Sequence, residues 1–303
     1  SGKDKVLFCG YHGWQDWYLS SNLRKKDNLT DQLLPGLIPN GVPKNLIDSA
    51  IPFKYNDKED FDKKVNKHNK NIGAIIMEPQ RNMKPDVNLL GYIKSIAKKI
   101  GAVFIFDEIT SGFHDNYGGK HLFYKINPDI AIYSKEIGNG FPIAAILGRK
   151  DVMQYAQNTF ISSLMWTERV GFAAGLAVIK FHNKTNVFNH NKNIGKKIKK
   201  GWVKLAKKHG LKIKVNSLDT IINFNFLYKN KNDYLITLFT ELMLKDNFLA
   251  NNNIYVSFSH NEKIVLRYLK AVDKAFYIIS NCIKDKKVKL KSKVRKTNYI
   301  RIS

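Results

Sequence analysis

Four short apolar runs occupy the middle of this 303-residue sequence: 73–77 (GAIIM), 102–106 (AVFIF), 129–133 (DIAIY) and 143–147 (IAAIL). Each has strand length and little alternation, the pattern of a strand covered on both faces. Between the first two, Leu90, Ile93, Ile96 and Ala97 recur at helical spacing across 89–99, and Gly101 stands where a helix would stop. Strand, helix, strand in that order requires a crossover, which makes the sheet parallel and the fold class α/β.

The flanking sequence extends this plan. Lys5 to Cys9 reads as a strand almost at the start of the chain, and a helix is expected from about Thr167 to Phe181. Its small residues Gly171, Ala173, Ala174 and Gly175 suit close packing. Past residue 185 the character changes: a basic helical stretch at 193–208, alternating strand-like residues at 219–226, then a second helix-plus-strand unit to about 283. The expected organisation is a large domain over 1–185 and a smaller α+β domain over 186–303. The basic tail from Lys284 is expected on the surface.

With 44% hydrophobic and 12% aromatic residues the chain can bury a sizeable core, which excludes disorder throughout. No apolar run approaches membrane-span length. The formal charge of +26 raises the possibility of nucleic-acid binding. The basic residues are scattered, however, and are mostly Lys rather than the Arg favoured for bidentate phosphate contacts. Nucleic acid is therefore not the expected partner. Two cysteines, Cys9 and Cys282, form no disulfide framework and suit a cytoplasmic setting. His68, His182, His190, His209 and His260 show no metal-ligand spacing and are expected mostly at the surface, so no metal is expected. The start lacks an initiator Met, so the expectation is an N-terminally truncated piece.

Ligands of parallel α/β sheets sit beyond the carboxyl ends of strands. The run 104–106 ends in Asp107 and Glu108, and the run 130–133 ends in Ser134 and Lys135. A Lys beside apolar strand ends can be desolvated toward its neutral, nucleophilic amine, which can form a Schiff base with an aldehyde cofactor. An Asp facing a pyridine nitrogen keeps the ring an electron acceptor. The same pair would also suit an ordinary strand-end ion pair.

Five motifs in order resemble class III aminotransferases, and within them the glutamate-1-semialdehyde aminomutase-like branch. They are GYHGWQDW at 10–17, MEP at 77–79, FDEITSGF at 106–113, PDIAIYSKEIGNGFPIAAILGR at 128–149 and SSLMWTERVGFAAGLA at 162–177. The resemblance covers most of residues 1–180 and continues loosely to about 283. It implies a fold-type-I transferase with helices on both faces of the sheet, pyridoxal 5'-phosphate as cofactor, and a symmetric homodimer. It implies that Lys135 holds the cofactor and relays the proton, and that Asp107 bonds the pyridine nitrogen. Ile109 would pack on one ring face and Tyr11 on the other, with His12 and Gly13 shaping that turn. Gly138, Asn139 and Gly140 would form the turn after the Lys. Glu78 would brace the site from behind, or else be a solvated strand-end carboxylate. Trp14 and Trp17 are expected to pack beneath the loop. The implied reaction moves an amino group between an amino compound and a carbonyl acceptor; the close rival is the intramolecular aminomutase reaction on glutamate 1-semialdehyde.

The sequence also departs from the family pattern. Leu164 stands where a Thr commonly reaches the cofactor phosphate, with Ser163 or Ser162 as substitutes, and His114 stands where Arg is frequent. Glu168-Arg169 replaces an Asn-Pro, and the family's phosphate-cradling loop precedes the matched region. These departures motivate a rival of another class, a non-catalytic basic binding protein on a decayed enzyme scaffold.

Overall fold

The structure is a computed structural model that describes residues 1–32, 36–80, 83–162, 165–285 and 289–296. Two compact units divide it, one containing residues 1–81 and 85–184, the other containing residues 185–297.

The first unit is built on a six-stranded sheet. Its strands are β1 (Lys5–Cys9), β2 (Ala50–Pro52), β3 (Ile72–Met77), β4 (Val103–Asp107), β5 (Ile130–Tyr133) and β6 (Ala145–Gly148), in spatial order β2-β1-β3-β4-β5-β6. All neighbours are parallel except β5 and β6, which run antiparallel. The expected sheet is thus present, with the fourth apolar run ending one residue later than its sequence suggested.

Alternation along the strands assigns the two faces. Leu7, Cys9, Ile75, Met77, Phe104 and Phe106 face helices Lys58–His68 and Val87–Ile100, whose Phe61, Val65, Leu89, Leu90, Ile93 and Ala97 complete one core. Phe8 and Ile76, with partly buried Ile105 and Ile132, face the other way and pack with Tyr18, Leu29 and Leu37. The Val87–Ile100 helix forms where it does because Asp86 caps the backbone N–H groups of Asn88 and Leu89, and because Gly101 closes it at φ 66°. Each apolar side chain it buries contributes about 1.5–3 kcal/mol.

The expected helix near 167–181 runs from Arg169 to Lys184. Of its small residues, Gly171 and Gly175 are the buried ones. A Cβ on Gly171 would sit 2.8 Å from the Pro142 carbonyl oxygen, so only glycine allows this approach to the chain leading into β6.

The second unit pairs a three-stranded antiparallel sheet with three helices. The strands β7 (Ile213–Val215), β8 (Ile221–Phe226) and β9 (Asn253–Tyr255) lie in that order, and the helices span Val187–Lys208, Asn232–Lys245 and Glu262–Asp285. Trp202, Phe224, Phe239 and Phe276 fill its centre, and the indole N–H of Trp202 donates to the Tyr268 hydroxyl at 3.0 Å. The described part of the tail, residues 289–296, is tied down more firmly than its charge implied. Leu290 packs against this core, and Arg295 bonds Asp233 and Asn252. Among the described residues no helix is long and apolar enough to cross a membrane.

Candidate active site

The order β2-β1-β3 reverses direction at β1, so the chain crosses to opposite sides of the sheet from neighbouring strands. Such a switch point opens a crevice at the carboxyl ends of the strands. Four of the five motifs emerge there: residues 10–13 after β1, Glu78 after β3, Asp107 to Thr110 at the end of β4, and Ser134-Lys135 after β5.

Asp107 is buried, and both of its oxygens are engaged. Oδ1 accepts from the backbone N–H of Ile109 at 3.0 Å, and Oδ2 lies 2.8 Å from His12 Nδ1. His12 Nε2 lies 3.2 Å from the carbonyl oxygen of Cys9. Both ring nitrogens therefore face acceptor oxygens, one of a carboxylate and one of a carbonyl. His12 does more than shape a turn: it is the side-chain partner of Asp107. Two ionised carboxylate oxygens offer about four lone-pair sites, so these two donors leave capacity for a third N–H. Trp17 stacks at 6.4 Å on the outer side of the His12 ring and packs edge-on against Phe8.

The turn that delivers His12 depends on glycine. Gly10 has φ 112°, and a Cβ there would fall 2.6 Å from Glu78 Oε2. That same oxygen accepts the backbone N–H of Tyr11 at 3.2 Å. Glu78 is buried, which removes the solvated alternative; it braces the loop after β1. Tyr11 is half-buried, with its ring edge-on to Trp14 at 5.3 Å and to Tyr18 at 5.7 Å. Trp14 itself is exposed, so of the two tryptophans only Trp17 packs under the loop. The neighbouring Cys9 thiol is pushed well up by burial and by the Glu78 carboxylate, which makes it a poor nucleophile.

Lys135 reaches the same loop from the adjacent strand. Asp107 pairs in register with Ile132 of β5, and Glu108 N–H donates to the Ile132 carbonyl at 2.8 Å. Three residues beyond Ile132, the Lys135 amine donates to the Thr110 hydroxyl at 2.8 Å. The Lys backbone is left-handed, at φ 49°. Ser134 Oγ donates to the Ile143 carbonyl at 2.8 Å, and the N–H groups of Gly138 and Asn139 both return to the Lys135 carbonyl at 3.0 Å. Gly138 lies so close to the Phe141 carbonyl oxygen that no side chain fits there. Lys135 is exposed, contrary to the expected desolvation. Tyr133 and Ile137 on either side of it are buried, and the turn between them points the Lys outward.

Beneath this surface lies a second polar layer that sequence reading missed. Glu108 is fully buried, accepting the His121 backbone N–H at 2.8 Å and facing His121 Nδ1 at 2.9 Å, with a further bond from the Ser111 hydroxyl. Asp115 pairs with buried Lys120 and accepts from the Gln80 amide at 2.9 Å. The DE pair at 107–108 was the available signal, since consecutive strand-end carboxylates must point to opposite faces. Ile109 is half-buried beside Asp107. Ser163 and Leu164 lie outside the described residues. The five scattered histidines are half-buried rather than at the surface; His209, for example, bonds Asp273 at 2.6 Å.

An anchored carboxylate on one strand-end loop and an amine on the adjoining turn suit the class of α/β folds that take a pyridine-type aldehyde cofactor. The donor set fits that group, with Asp107 retaining acceptor capacity and Lys135 on the adjoining turn. Residues 3–254 match the family model described as Aminotransferase class-III, and the chain belongs to that family, whose cofactor is pyridoxal phosphate.

The relatives agree. The glutamate-1-semialdehyde 2,1-aminomutase of Natranaerobius thermophilus is 25% identical over 297 residues, covering 91% of this chain and 68% of its own length. The protein of the same name from Clostridium perfringens strain 13 is 30% identical, over 74% of this chain and 54% of its own. The 2'-deamino-2'-hydroxyneamine transaminase of Streptomyces kanamyceticus is 29% identical, over 70% and 50% respectively. The chain thus spans half to two thirds of the length of the curated relatives it matches. Among solved structures, the FumI protein of Sphingopyxis sp. MTA144, in its PLP internal aldimine form, superposes with TM-score 0.82 at 20% identity. That match covers 94% of this chain and 67% of the other. An omega-transaminase from Sphaerobacter thermophilus gives TM-score 0.78 at 18% identity, over 92% and 69%. These likenesses establish the fold.

Proposed function

We propose that the protein moves an amino group between an amino compound and a carbonyl acceptor, with Lys135 as the residue that holds pyridoxal phosphate. The observation that carries this reading is the joint hold of one loop, Asp107 to Thr110, on both reactive groups. Asp107 is fixed by Ile109 N–H and His12, and the Lys135 amine rests on Thr110. When bound, the cofactor supplies an electron sink for the substrate's α-carbon. The chain's own part follows from the geometry. Asp107 would accept the pyridine N–H, its carboxylate held in place by His12 and by the Ile109 N–H. Lys135 would hold the cofactor's aldehyde and serve as general base for the substrate's proton, with Thr110 as the resting partner of its amine. Ile109 and Tyr11 would close over the two ring faces, Gly13 would let the loop turn, Glu78 would hold that loop, and Ser163 would reach the phosphate.

Residues 1–185 would form the cofactor-binding domain and residues 186–303 the small domain. We further propose a cytoplasmic homodimer. Exposed Phe141, Ile146, Leu147, Phe160, Phe172 and Leu176 supply apolar surface of the kind that a second copy covers.

The first test is covalent capture. The protein is incubated with pyridoxal phosphate, reduced with borohydride, and digested for peptide mass analysis. Label on the peptide containing Lys135, lost in Lys135→Ala, is the expected result; equal labelling of other lysines would end the proposal. A second reading, intramolecular transfer on glutamate 1-semialdehyde, is favoured by the names of the two aminomutase relatives. Supplying that compound with and without an external carbonyl acceptor separates the two. Product without acceptor selects the aminomutase.

A further inference from the structure

Lys135 sits in a left-handed conformation that residues with a side chain seldom adopt. Its φ of 49° persists only if surrounding contacts over-determine it. The next residue supplies such a contact. Glu136 Oε1 lies 3.3 Å from His114 Nδ1, and His114 is buried, on the same 107–115 loop that holds Thr110. Two consecutive residues of the Lys turn are therefore stitched to two points of one loop, Lys135 to Thr110 and Glu136 to His114. A carboxylate only accepts, so the His114 proton must sit on Nδ1 whether the ring is charged or neutral.

Resting on the reading of Lys135 as the cofactor lysine, we infer that His114 and Glu136 are a positioning pair that holds the Lys135 backbone left-handed, so that its amine returns to Thr110 whenever it is released. The pair touches neither reacting atom; it acts through the turn. A Lys that served both as the cofactor's anchor and as a base would need its amine to move while its backbone stays fixed. A turn pinned at the next residue lets the long side chain swing while its Cα stays in place.

The electrostatics agree with this geometry. The Glu136 carboxyl is held below the ordinary carboxylate range by its bond to His114, against the opposing effect of burial, with the charges of His114, Lys135 and His182 adding. His182, on the Arg169–Lys184 helix, acts on it only through its electrostatic field, and burial lowers the His182 pKa from its usual value. Phe113 packs edge-on to both His182 and Tyr133, which closes the apolar side of this cluster.

The test reads covalent capture of pyridoxal phosphate at Lys135 over time in the full chain, without requiring turnover. Glu136→Ala and His114→Ala should each slow capture roughly five-fold, the scale of one charge-assisted hydrogen bond between partly exposed groups. The double variant should be no slower than either single one, because both remove the same contact. Glu136→Gln keeps an acceptor without the charge and should recover part of the loss; it also keeps the test decisive if an Ala variant fails to fold. Capture against pH provides the second readout. The difference between wild type and Glu136→Gln should shrink as pH falls through the depressed carboxyl value and Glu136 loses its charge. Wild-type capture rates in all three variants, with Lys135→Ala still blocking capture, would overturn the positioning role and leave the functional reading intact. Additive losses in the double variant would overturn it too. Undiminished labelling in Lys135→Ala would instead bring down the functional reading beneath it.

Discussion

The two units solve the problem of burial in opposite ways. In the first, charged groups are buried in numbers around the strand ends: Glu78, Asp107, Glu108, Asp115 and Lys120, with His12, His114 and His121. In the second, the buried polar residues described are Asn191, Thr220, Thr237, Asn252 and Ser280, all uncharged, around a centre of Trp202, Phe224, Phe239 and Phe276. A buried charge is tolerated only with its partners in place, and losing one partner leaves the other uncompensated. An apolar core has no such dependence and fails by cavity formation. The first unit gives up tolerance for chemistry at a crevice; the second takes its stability from packing.

That contrast can be broken most forcefully in the second unit. Trp202→Ala should cost about 4 kcal/mol in denaturant unfolding followed by far-UV circular dichroism, because a fully buried indole leaves a large cavity. Capture of pyridoxal phosphate at Lys135 should be unchanged under native conditions. Loss of capture without unfolding would show that the units are not independent. Next, Lys120→Ala should cost about 3 kcal/mol by leaving Asp115 buried and unbalanced. Replacing both partners, as Asp115→Leu with Lys120→Met, should recover much of that; a double variant as unstable as the single one would contradict the uncompensated-charge account.

Gly10→Ala should cost about 2 kcal/mol, since the left-handed φ and the approach to Glu78 both penalise a Cβ. Because that turn carries His12, the variant should also weaken cofactor capture, which equilibrium titration would read. The smallest effect belongs to Asp273, whose carboxyl is held below its ordinary 3.8 first by Lys208 and then by His209. A depressed carboxyl stabilises above its unfolded value and loses that contribution as pH falls through the folded one. Asp273→Asn should therefore lose under about 1 kcal/mol at neutral pH, discounted for solvent screening. Unfolding curves of variant and parent should converge only as pH falls through that depressed folded value. A gap that persisted there would point to packing rather than charge.

Much of the first unit was legible because its signals are local. Apolar runs marked four strands, Gly101 marked the end of a helix, and the residues at the strand ends named Asp107 and Lys135. What escaped was set by long-range pairing. His12 meets Asp107 across 95 positions, and nothing in GYHGWQDW by itself says that its imidazole turns toward a carboxylate on another strand. The His114–Glu136 contact was hidden likewise; His114 read only as a departure from the family pattern. The exposure of Lys135 was misjudged because strand-end position fixes where a backbone leaves the sheet, but not what covers the side chain after it leaves.

The antiparallel pairing of β6 with β5 bears on how such a site can vary. A parallel neighbour would need a crossover of a dozen residues or more to regain the starting end of the sheet. Here residues 134–144 depart and re-enter at the same edge, between strands roughly 4.8 Å apart. The amine-bearing segment is thus a hairpin loop closed on itself, whose entropy of closure changes only slowly with length. Insertions or deletions beyond Asn139 could remodel what meets the substrate while leaving the sheet and its register untouched.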